Sequence, residues 1–383
     1  MTKKRLLFIS SFFPNPLYPN IATYLKQSLS ALREFYDIDA VVPVPWPYRF
    51  KQGTIPGECV INGVNVWYPT YYYTPLVFRQ YYGSFFEKSI SDAVTRLCKA
   101  NRYDTVYSAW LYPDAWVAAK VAKKLKLPLY VMVLGTDVNR LQPDSFLTSR
   151  MLEVADYATR IVCVSVPLLQ KLNGLGCDAD KLVYLQNGID HTIFYPRDKS
   201  SVRSELGIIP TDKVILYVGN LKKEKGLGAL AGAFKGIITD KEREDFKLVV
   251  IGGGRYKATL VDLLRKYKVD NRAVLLGERS LQTIALYMNA CDVMCLPSHM
   301  EGQPNVVMEA LNCHAKVVST LVGGIPDLDD GRGNMILVPP GTISELAEAL
   351  VEMIDRDTPF AGGSTIKSWK DHALQLKDMF ERP

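Results

Sequence analysis

Cysteines are few in this sequence, and their spacing excludes the folds that depend on them. There are seven, and no two have the C-x-x-C spacing of a zinc or redox motif. Disulfide frameworks also need paired cysteines and an oxidising compartment. We therefore expect buried thiols and a cytoplasmic protein. The cysteines stand at positions 59, 98, 163, 177, 291, 295 and 313.

Long apolar runs are also missing. No stretch of 18 apolar residues occurs, although a membrane-spanning helix needs about 20. The apolar run near the N-terminus covers only Leu6 to Phe13, contains two serines and ends in prolines without a small-residue cleavage site. This pattern predicts a first buried β-strand rather than a signal peptide.

The chain has no strong excess of charge of either sign. Lys and Arg exceed Asp and Glu by 6 over 383 residues, and hydrophobic residues make up 48%. Such a chain is globular and long enough for two domains, and its positive charge is too small to predict a nucleic-acid partner. The mild basic excess suits an enzyme that handles anionic donors or lies near an anionic membrane.

Short apolar runs alternate with helical stretches along nearly the whole chain. Such runs are typical of parallel strands covered on both faces. The first half contains RLLFIS, DIDAVVPV, DTVYSAW, LPLYVMVL and RIVCVS, with helices predicted over 21–35, 85–100 and 114–125. The second half contains KVILYVG, FKLVVIGGG, RAVLLGE, VMCLPS, AKVVST and MILVPP. The alternation predicts an α/β protein with two doubly wound, Rossmann-like domains that face each other across a cleft.

A polar segment over 187–200 separates the two series. It contains Asn-Gly, a proline and a charge cluster, which are typical of a linker. We therefore predict an N-terminal domain over 1–195 and a C-terminal domain over 196–363. A last helix is predicted over 364–383, packing back on the first domain through Trp369 and Leu374.

Two segments are dense in aromatic residues and do not fit the alternation. They are VWYPTYYYTPLVFRQYYGSFF over 66–86 and PWPYRFK over 45–51. One interpretation is a loop packed on the core. The other is an exposed aromatic and basic face that contacts a membrane or an acceptor.

The segment HMEGQPNVVMEAL over 299–311 carries the most chemical information. A strand precedes it, and a helix should begin near Pro304 because proline suits the first helical turn. Amides at a helix N-terminus form a site for a diphosphate, and Glu301 and Glu309 on either side would accept hydrogen bonds from sugar hydroxyls. Taken alone, the spacing of the pair favours solvated glutamates at the two ends of a helix.

Eight segments in order resemble the retaining family 4 glycosyltransferases. HMEGQPNVVMEAL is similar to their E-x7-E motif, and the others follow the family pattern over nearly the whole chain. These are LYPDAWVAAKVAKKLKLP, LGTDVN, IVCVSVPLLQKL, YLQNGIDHTIFYP, YVGNLKKEKG, LVVIGGG and VGGIPDL. The resemblance implies a GT-B fold with an N-terminal acceptor-binding domain and a C-terminal nucleotide-sugar-binding domain.

The resemblance also implies a role for each matching position. Glu301 would contact hydroxyls of the transferred sugar, Lys225 would pair with the diphosphate, and Asp137 would lie on the acceptor side; these are the catalytic candidates. Donor binding would involve Lys225 and Glu301 again. The other implied donor-binding residues are Asn220, Gly277 beside the base, Gln303, Pro304, Asn305, Val306, and Glu309 at the ribose.

The implied reaction is retaining transfer of a hexose-type sugar from a UDP- or GDP-sugar. The acceptor would be a saccharide or a lipid-linked saccharide in cell-surface polysaccharide or glycolipid synthesis. The family needs no metal or other cofactor, because positioning and charge stabilisation carry the reaction. The protein would be cytoplasmic, with peripheral contact on the inner face of the membrane through 45–51 and 66–86.

The sequence departs from the family pattern at two positions. Asn220 stands where the family often has an arginine, so that charge near the donor phosphates would come from Lys225 and helix dipoles, or from another cation such as Lys222 or Lys223. Leu134 stands where many members have a histidine before the G-x-D turn, and no histidine is therefore predicted to be catalytic.

Four other functions compete with a transferase. A dinucleotide-binding enzyme would explain the glycines at 252–254, but Lys257 occupies the position of the third fingerprint glycine. An epimerase would need clustered acids and histidines, and a phosphorylase would need a cofactor-binding lysine. A non-catalytic sugar-nucleotide-binding subunit is favoured only by Asn220 and Leu134.

Overall fold

The computed structural model describes residues 3–19, 21–49, 55–240, 242–356, 358–363 and 365–382. It divides into two compact units. The first comprises Met1–Gly188 together with Lys367–Pro383, and the second comprises Ile189–Ile366. The division falls after Gly188, within the predicted linker, rather than after Tyr195. An added Cβ at Gly188 would lie 2.5 Å from the backbone nitrogen of Trp369, so a glycine is needed where the last helix packs.

The first unit is built on a twisted, mostly parallel sheet. Its strands are β1 (Lys4–Ile9), β2 (Tyr36–Val41), β3 (Val44–Pro45), β4 (Glu58–Ile61), β5 (Val64–Trp67), β6 (Thr70–Tyr71), β7 (Thr105–Ala109), β8 (Leu129–Val133), β9 (Arg160–Cys163) and β10 (Leu182–Tyr184). Among the described residues, eight strands form the sheet in the order β10-β9-β8-β7-β1-β2-β5-β4, and β3 pairs with β6. Among the described strands of that sheet, β4 alone runs antiparallel to its neighbour.

Helices cover the strands of this sheet. They are α1 (Thr23–Leu32), α2 (Trp46–Arg49), α3 (Tyr82–Ala100), α4 (Trp116–Leu125), α5 (Thr136–Asn139), α6 (Phe146–Tyr157) and α7 (Val166–Gly174). All of β8 and the last four residues of β1 are buried. Burial on both faces explains why these strands read as continuous apolar runs, and the prediction of parallel strands is confirmed here.

The second unit repeats the pattern with a six-stranded parallel sheet in its described residues. The strands are β11 (Lys213–Val218), β12 (Phe246–Ile251), β13 (Ala273–Gly277), β14 (Val293–Leu296), β15 (Val317–Thr320) and β16 (Met335–Val338), in the order β13-β12-β11-β14-β15-β16. The helices are α8 (Lys199–Leu206), α9 (Leu227–Lys235), α10 (Lys257–Lys266), α11 (Leu281–Ala290), α12 (Asn305–Asn312) and α13 (Ile343–Asp355). Each unit has its own apolar core.

The last helix, α14 (Trp369–Glu381), belongs to the first unit. Ser368 and Asp371 form a capping box that fixes its start. Trp369 and Phe380 are buried as part of the inner face. Leu374 is 39% exposed, so the prediction that it packs on the first domain is wrong, and Leu376, two residues further, does so instead. Positions 364 and 383 of the predicted helix lie outside the described residues.

The aromatic segment 66–86 is partly packed on the core and partly exposed. Tyr71 and Phe86 are buried and their rings pack edge to face, with centroids 5.2 Å apart. The stretch between β6 and α3 is exposed, with Leu76 at 79% and Phe78 at 57%. In the segment 45–51, the last two residues lie outside the described part. Across the part of the chain that is described, no helix has the length and apolar character to cross a membrane.

Candidate active site

The strand order of the second sheet determines where its ligand site lies. The chain runs outward from β11 through β12 to β13, and then from β14 through β15 to β16 on the other side. Beyond the carboxyl ends of β11 and β14 the loops therefore diverge, and α/β sheets bind their ligands at such a switch point. The two loops meet directly, because the amide of His299 donates to the carbonyl of Glu224 at 2.9 Å.

Glycines allow the loops at this edge to approach one another. Gly226 has φ +68°, and an added Cβ would lie 1.7 Å from the carbonyl oxygen of Pro297. An added Cβ on Gly252 would lie 2.0 Å from the carbonyl oxygen of Gly219. Any larger residue would force the loops apart. The glycine triplet that suggested a dinucleotide fingerprint is thus accounted for by close packing of two loops.

Lys225 and Glu301 meet across the switch point. The Lys225 Nζ lies 2.5 Å from Oε1 of Glu301, and the side chains are 25% and 9% exposed. The hydroxyl of Ser298 donates to the same Oε1 at 2.6 Å. Lys225 ends a short 3-10 turn after β11, and Glu301 lies on the loop after β14. The sheet order therefore joins two residues predicted to bind the donor.

Helix α12 begins beside this pair. Its first residue is Asn305, with Pro304 as the N-cap, which confirms the predicted start of the helix. The preceding loop is held by a hydrogen bond from the amide of Gly324 to the carbonyl of Gly302 at 2.7 Å. Gln303 and Pro304 are buried. Amides at the start of an eight-residue helix provide partial positive charge for an anion.

Glu309 lies more than one turn into α12. Its side chain is half-buried, and burial raises the pKa of its carboxyl to about 7. Within the described residues this carboxylate has neither an ion-pair partner nor a hydrogen-bond donor. An unsatisfied carboxylate in a low-dielectric site is costly, so it is available to accept hydrogen bonds from a ligand.

The remaining residues predicted to bind the sugar donor lie along the same carboxyl edge of the second sheet. Gly277 ends β13 at φ +73°, and an added Cβ there would have no atom within 4 Å, so open space lies beside it. Asn305 and Val306 are half-buried in the first turn of α12, and Asn220 is exposed after β11. The structure therefore brings every predicted donor residue to the carboxyl edge of one sheet.

Asp137 belongs to the first unit. Its Oδ1 accepts hydrogen bonds from the amides of Gly135 at 2.8 Å and Leu134 at 3.1 Å. Burial raises the pKa of its carboxyl to about 6, against the lowering effect of these hydrogen bonds. The carboxylate fixes the turn after β8, and Asp137 also lines a cavity of about 800 Å³. Its catalytic role stays a prediction.

Two family models match this chain. The model described as Glycosyltransferase Family 4 matches residues 23–193, and the model described as Glycosyl transferases group 1 matches residues 212–356. The chain belongs to the family 4 glycosyltransferases. This glycosyltransferase is 26% identical over 364 residues to TuaC of Bacillus subtilis strain 168, a glycosyltransferase that its name assigns provisionally to teichuronic acid biosynthesis. The alignment covers 90% of this chain and 88% of TuaC.

Solved structures of the same architecture confirm the fold of this glycosyltransferase. Sucrose-phosphate synthase from Thermosynechococcus elongatus matches 100% of this chain and 99% of its own, with a TM-score of 0.79 and 17% identity. HepE from Anabaena in complex with UDP matches 100% of both chains, with a TM-score of 0.76 and 18% identity. The fold is therefore GT-B, as the sequence predicted.

Sequence reasoning missed two polar groups that this glycosyltransferase places at strand ends. One is Ser298, which holds Glu301. The other is Asp114, which is fully buried at the switch point of the first sheet and accepts hydrogen bonds from the amide and hydroxyl of Ser11. Burial raises the pKa of Asp114 to about 6. Ser298 stands two residues after β14, so a polar residue just beyond a buried strand is the signal for it, whereas Asp114 stands five residues after β7 and lacks that signal.

Proposed function

We propose that this family 4 glycosyltransferase transfers a hexose-type sugar from a UDP- or GDP-sugar to a saccharide or lipid-linked acceptor, with retention and without a metal ion. The observation that carries the proposal is the pairing of Lys225 with Glu301 beside the start of α12. A cation and a helix N-terminus suit a diphosphate. A neighbouring carboxylate suits the hydroxyls of the sugar attached to it.

The donor would lie along the carboxyl edge of the second sheet. Its diphosphate would meet the first amides of α12 and Lys225, and its sugar would meet Glu301. The ribose hydroxyls would donate to Glu309, whose carboxylate accepts no hydrogen bond from the described part of the chain. The base would occupy the open space beside Gly277. HepE, which shares the fold, has been solved with UDP and with UDP-glucose, and this supports a nucleotide-sugar donor.

In the proposed reaction, the bond between the anomeric carbon and the diphosphate oxygen breaks, and the electron pair leaves with the diphosphate. The acceptor hydroxyl oxygen forms its bond to the anomeric carbon on the same face, and its proton passes to the departing diphosphate. Lys225 offsets the charge that develops there. The protein then acts by positioning two substrates rather than by supplying a nucleophile.

A role in cell-surface polysaccharide or glycolipid synthesis is part of this proposal. The provisional assignment of TuaC to teichuronic acid biosynthesis supports it. We further propose peripheral contact with the inner face of the membrane through the exposed tip Leu76–Phe78. Its three apolar side chains are 79%, 53% and 57% exposed, and they are followed directly by Arg79, as suits an anionic interface.

The test is a thermal-shift screen against UDP, GDP, ADP, CMP and their common sugars, first with EDTA and then with magnesium. We expect one nucleotide family to raise the melting temperature in EDTA. Glu309→Gln should reduce the rise, whereas Glu345→Gln, an exposed glutamate on α13 of the same unit, should keep it in full. No rise with any nucleotide in either condition would contradict the donor site.

The product decides between an enzyme and a non-catalytic subunit. Incubation with the stabilising nucleotide sugar should release free nucleoside diphosphate slowly without an acceptor and faster with one. The anomeric proton signal of the product should show the same configuration as the donor. Nucleotide binding without any release of nucleoside diphosphate would favour the non-catalytic alternative, and an inverted product would contradict retention.

A further inference from the structure

The first unit contains a cavity that the donor site does not use. It has a volume of about 800 Å³, and all of its lining residues belong to the first unit. The loops after β7 and β8 supply one wall, through Trp110–Pro113 and through Asp137, Arg140 and Leu141. β7 neighbours β1 at the switch point of the first sheet, so the cavity opens where α/β folds bind ligands. Its volume is in the range of small-molecule sites.

The cavity carries an excess of positive charge. Arg79 and Arg140 line it, both are exposed, and within the described residues neither guanidinium has a carboxylate partner. Asp137 is the acidic residue among those that line the cavity. Its carboxylate accepts hydrogen bonds from the amides of Leu134 and Gly135 and does not neutralise either arginine. Arginine is the side chain best suited to a phosphate group.

Aromatic rings form the other walls, and hydrogen bonds fix them in place. The Tyr112 hydroxyl donates to the carbonyl of Gln80 at 3.0 Å and accepts from the amide of Gly83 at 2.8 Å. The Tyr82 hydroxyl donates to the carbonyl of Thr74 at 2.9 Å. Rings that are held before a ligand arrives lower the entropic cost of binding. Such rings provide flat faces for the rings of a saccharide.

One side of the cavity is apolar and open to solvent. Leu76 lines it and is 79% exposed, and it continues into the tip Leu76–Phe78. Leu76 and Phe78 both adopt positive φ, at 71° and 55°. Non-glycine residues in this region are strained, and such strain is concentrated at functional sites. An exposed apolar side chain beside two arginines that have no carboxylate partner among the described residues suits a ligand that has both a lipid chain and a phosphate.

We propose that this cavity binds the acceptor and that the acceptor is a saccharide linked through phosphate or diphosphate to a lipid. The proposal rests on the proposed transferase function. Arg79 and Arg140 bind the phosphate, the rings of Tyr82 and Tyr112 contact the saccharide, and the lipid leaves past Leu76. A purely neutral or a water-soluble acidic saccharide would leave the apolar side of the cavity unused.

The experiment measures binding by calorimetry to four probes, below their micellar concentrations. The probes are farnesyl diphosphate, inorganic diphosphate, a glucuronate-containing disaccharide and octyl glucoside. We expect farnesyl diphosphate to bind the wild type more tightly than the other three. Arg79→Ala and Arg140→Ala should each weaken it about tenfold, and the Lys variants should recover part of the loss. Arg96→Ala, an exposed arginine of α3 outside the cavity, should bind as the wild type does.

Each other result overturns a stated part of the proposal. Equal binding of octyl glucoside and farnesyl diphosphate would show that the cavity does not recognise a phosphate group. Arginine-dependent binding of the disaccharide alone would show that the acceptor is an acidic saccharide and not a lipid-linked one. Equal loss in Arg96→Ala would indicate adsorption to the charged surface. The nucleotide-induced rise in melting temperature of the wild type is a separate readout. If that rise is present but no probe binds, the acceptor proposal fails while the donor site stands.

Discussion

Lys225 Nζ lies 2.5 Å from Oε1 of Glu301, so the cation predicted to meet the donor diphosphate is neutralised by the carboxylate predicted to meet the donor sugar. A diphosphate that enters the site must share Lys225 with Glu301 or displace Glu301 from it. Because the pair is mostly buried, breaking it leaves one charge without compensation. The pair therefore makes binding of the diphosphate and of the sugar interdependent.

The first prediction follows from this pair. In Glu301→Gln, Lys225 loses its competing anion, so we expect free nucleoside diphosphate to bind at least as tightly as to the wild type. Transfer should fall about 100-fold or more, because charge and sugar contacts in the transition state are lost. In Lys225→Met, both diphosphate binding and transfer should fall. Calorimetry and initial rates measure the two effects.

Ser298→Ala is the matched control, because it removes a hydrogen bond to Glu301 and leaves the ion pair. It should lower transfer less than Glu301→Gln does. Parallel losses of nucleotide binding in Glu301→Gln and Lys225→Met would show that the pair acts as one structural unit. A melting temperature that falls equally in both would support the same conclusion.

The second prediction concerns Glu309. Its folded pKa of about 7 lies above its usual value of 4.5, so the folded state binds the proton more tightly than the unfolded state does. This contribution to stability is full below pH 4.5 and is lost as the pH rises through about 7. The ionised form is the better acceptor for ribose hydroxyls, and nucleotide affinity should therefore increase from pH 6 to pH 8.

Glu309→Gln removes the titrating carboxyl of the protein, whereas the phosphate of the nucleotide titrates with the wild type and with the variant. The difference between the two pH profiles therefore isolates Glu309. Calorimetric titrations at several pH values should show a smaller rise in affinity in the variant. Identical profiles for variant and wild type would mean that Glu309 does not meet the nucleotide.

The third prediction concerns Asp137. Asparagine keeps an oxygen that can accept hydrogen bonds from Leu134 and Gly135, so Asp137→Asn should fold with nearly the wild-type melting temperature. Asp137→Ala leaves the two amides without their acceptor and should cost about 1–3 kcal/mol of the free energy of unfolding. If Asp137 is catalytic, Asp137→Asn loses transfer despite its stability. Wild-type rates in Asp137→Asn would restrict its role to the turn.

The main sheets could be predicted from the sequence because continuous apolar runs directly reflect burial on both faces. Strands β4 and β5 are missed, since β4 alternates between exposed and half-buried residues at an edge of the sheet and β5 beside it is only partly buried. The contact of Lys225 with Glu301 could not be predicted from spacing, because it depends on β11 and β14 being neighbours. The surroundings of Asp137 likewise depend on the position of β8 in the first sheet, which spacing along the chain does not give.

The fourth prediction tests the packing of the last helix. Phe380 contacts the rings of Tyr36, Tyr107 and Tyr130, with centroids 5.9, 5.5 and 4.4 Å away. Phe380→Ala would leave a cavity among them and should lower the free energy of unfolding by about 3–5 kcal/mol. Leu374→Ala, at a 39% exposed position of the same helix, should cost far less. Chemical denaturation measures both values, and equal losses would contradict the described packing.

The last prediction concerns the tip Leu76–Phe78. Leu76→Ser and Phe78→Ser together should weaken binding to vesicles that contain anionic phosphatidylglycerol, because two exposed apolar side chains would no longer enter the interface. Val60→Ser changes an equally exposed apolar residue on β4, at 65%, and should leave vesicle binding unchanged. Co-sedimentation at two salt concentrations separates the apolar contribution from that of Arg79, because salt screens only the latter. If the tip and Val60 variants bind vesicles equally, the membrane contact lies elsewhere and the strained backbone at Leu76 and Phe78 serves the cavity alone.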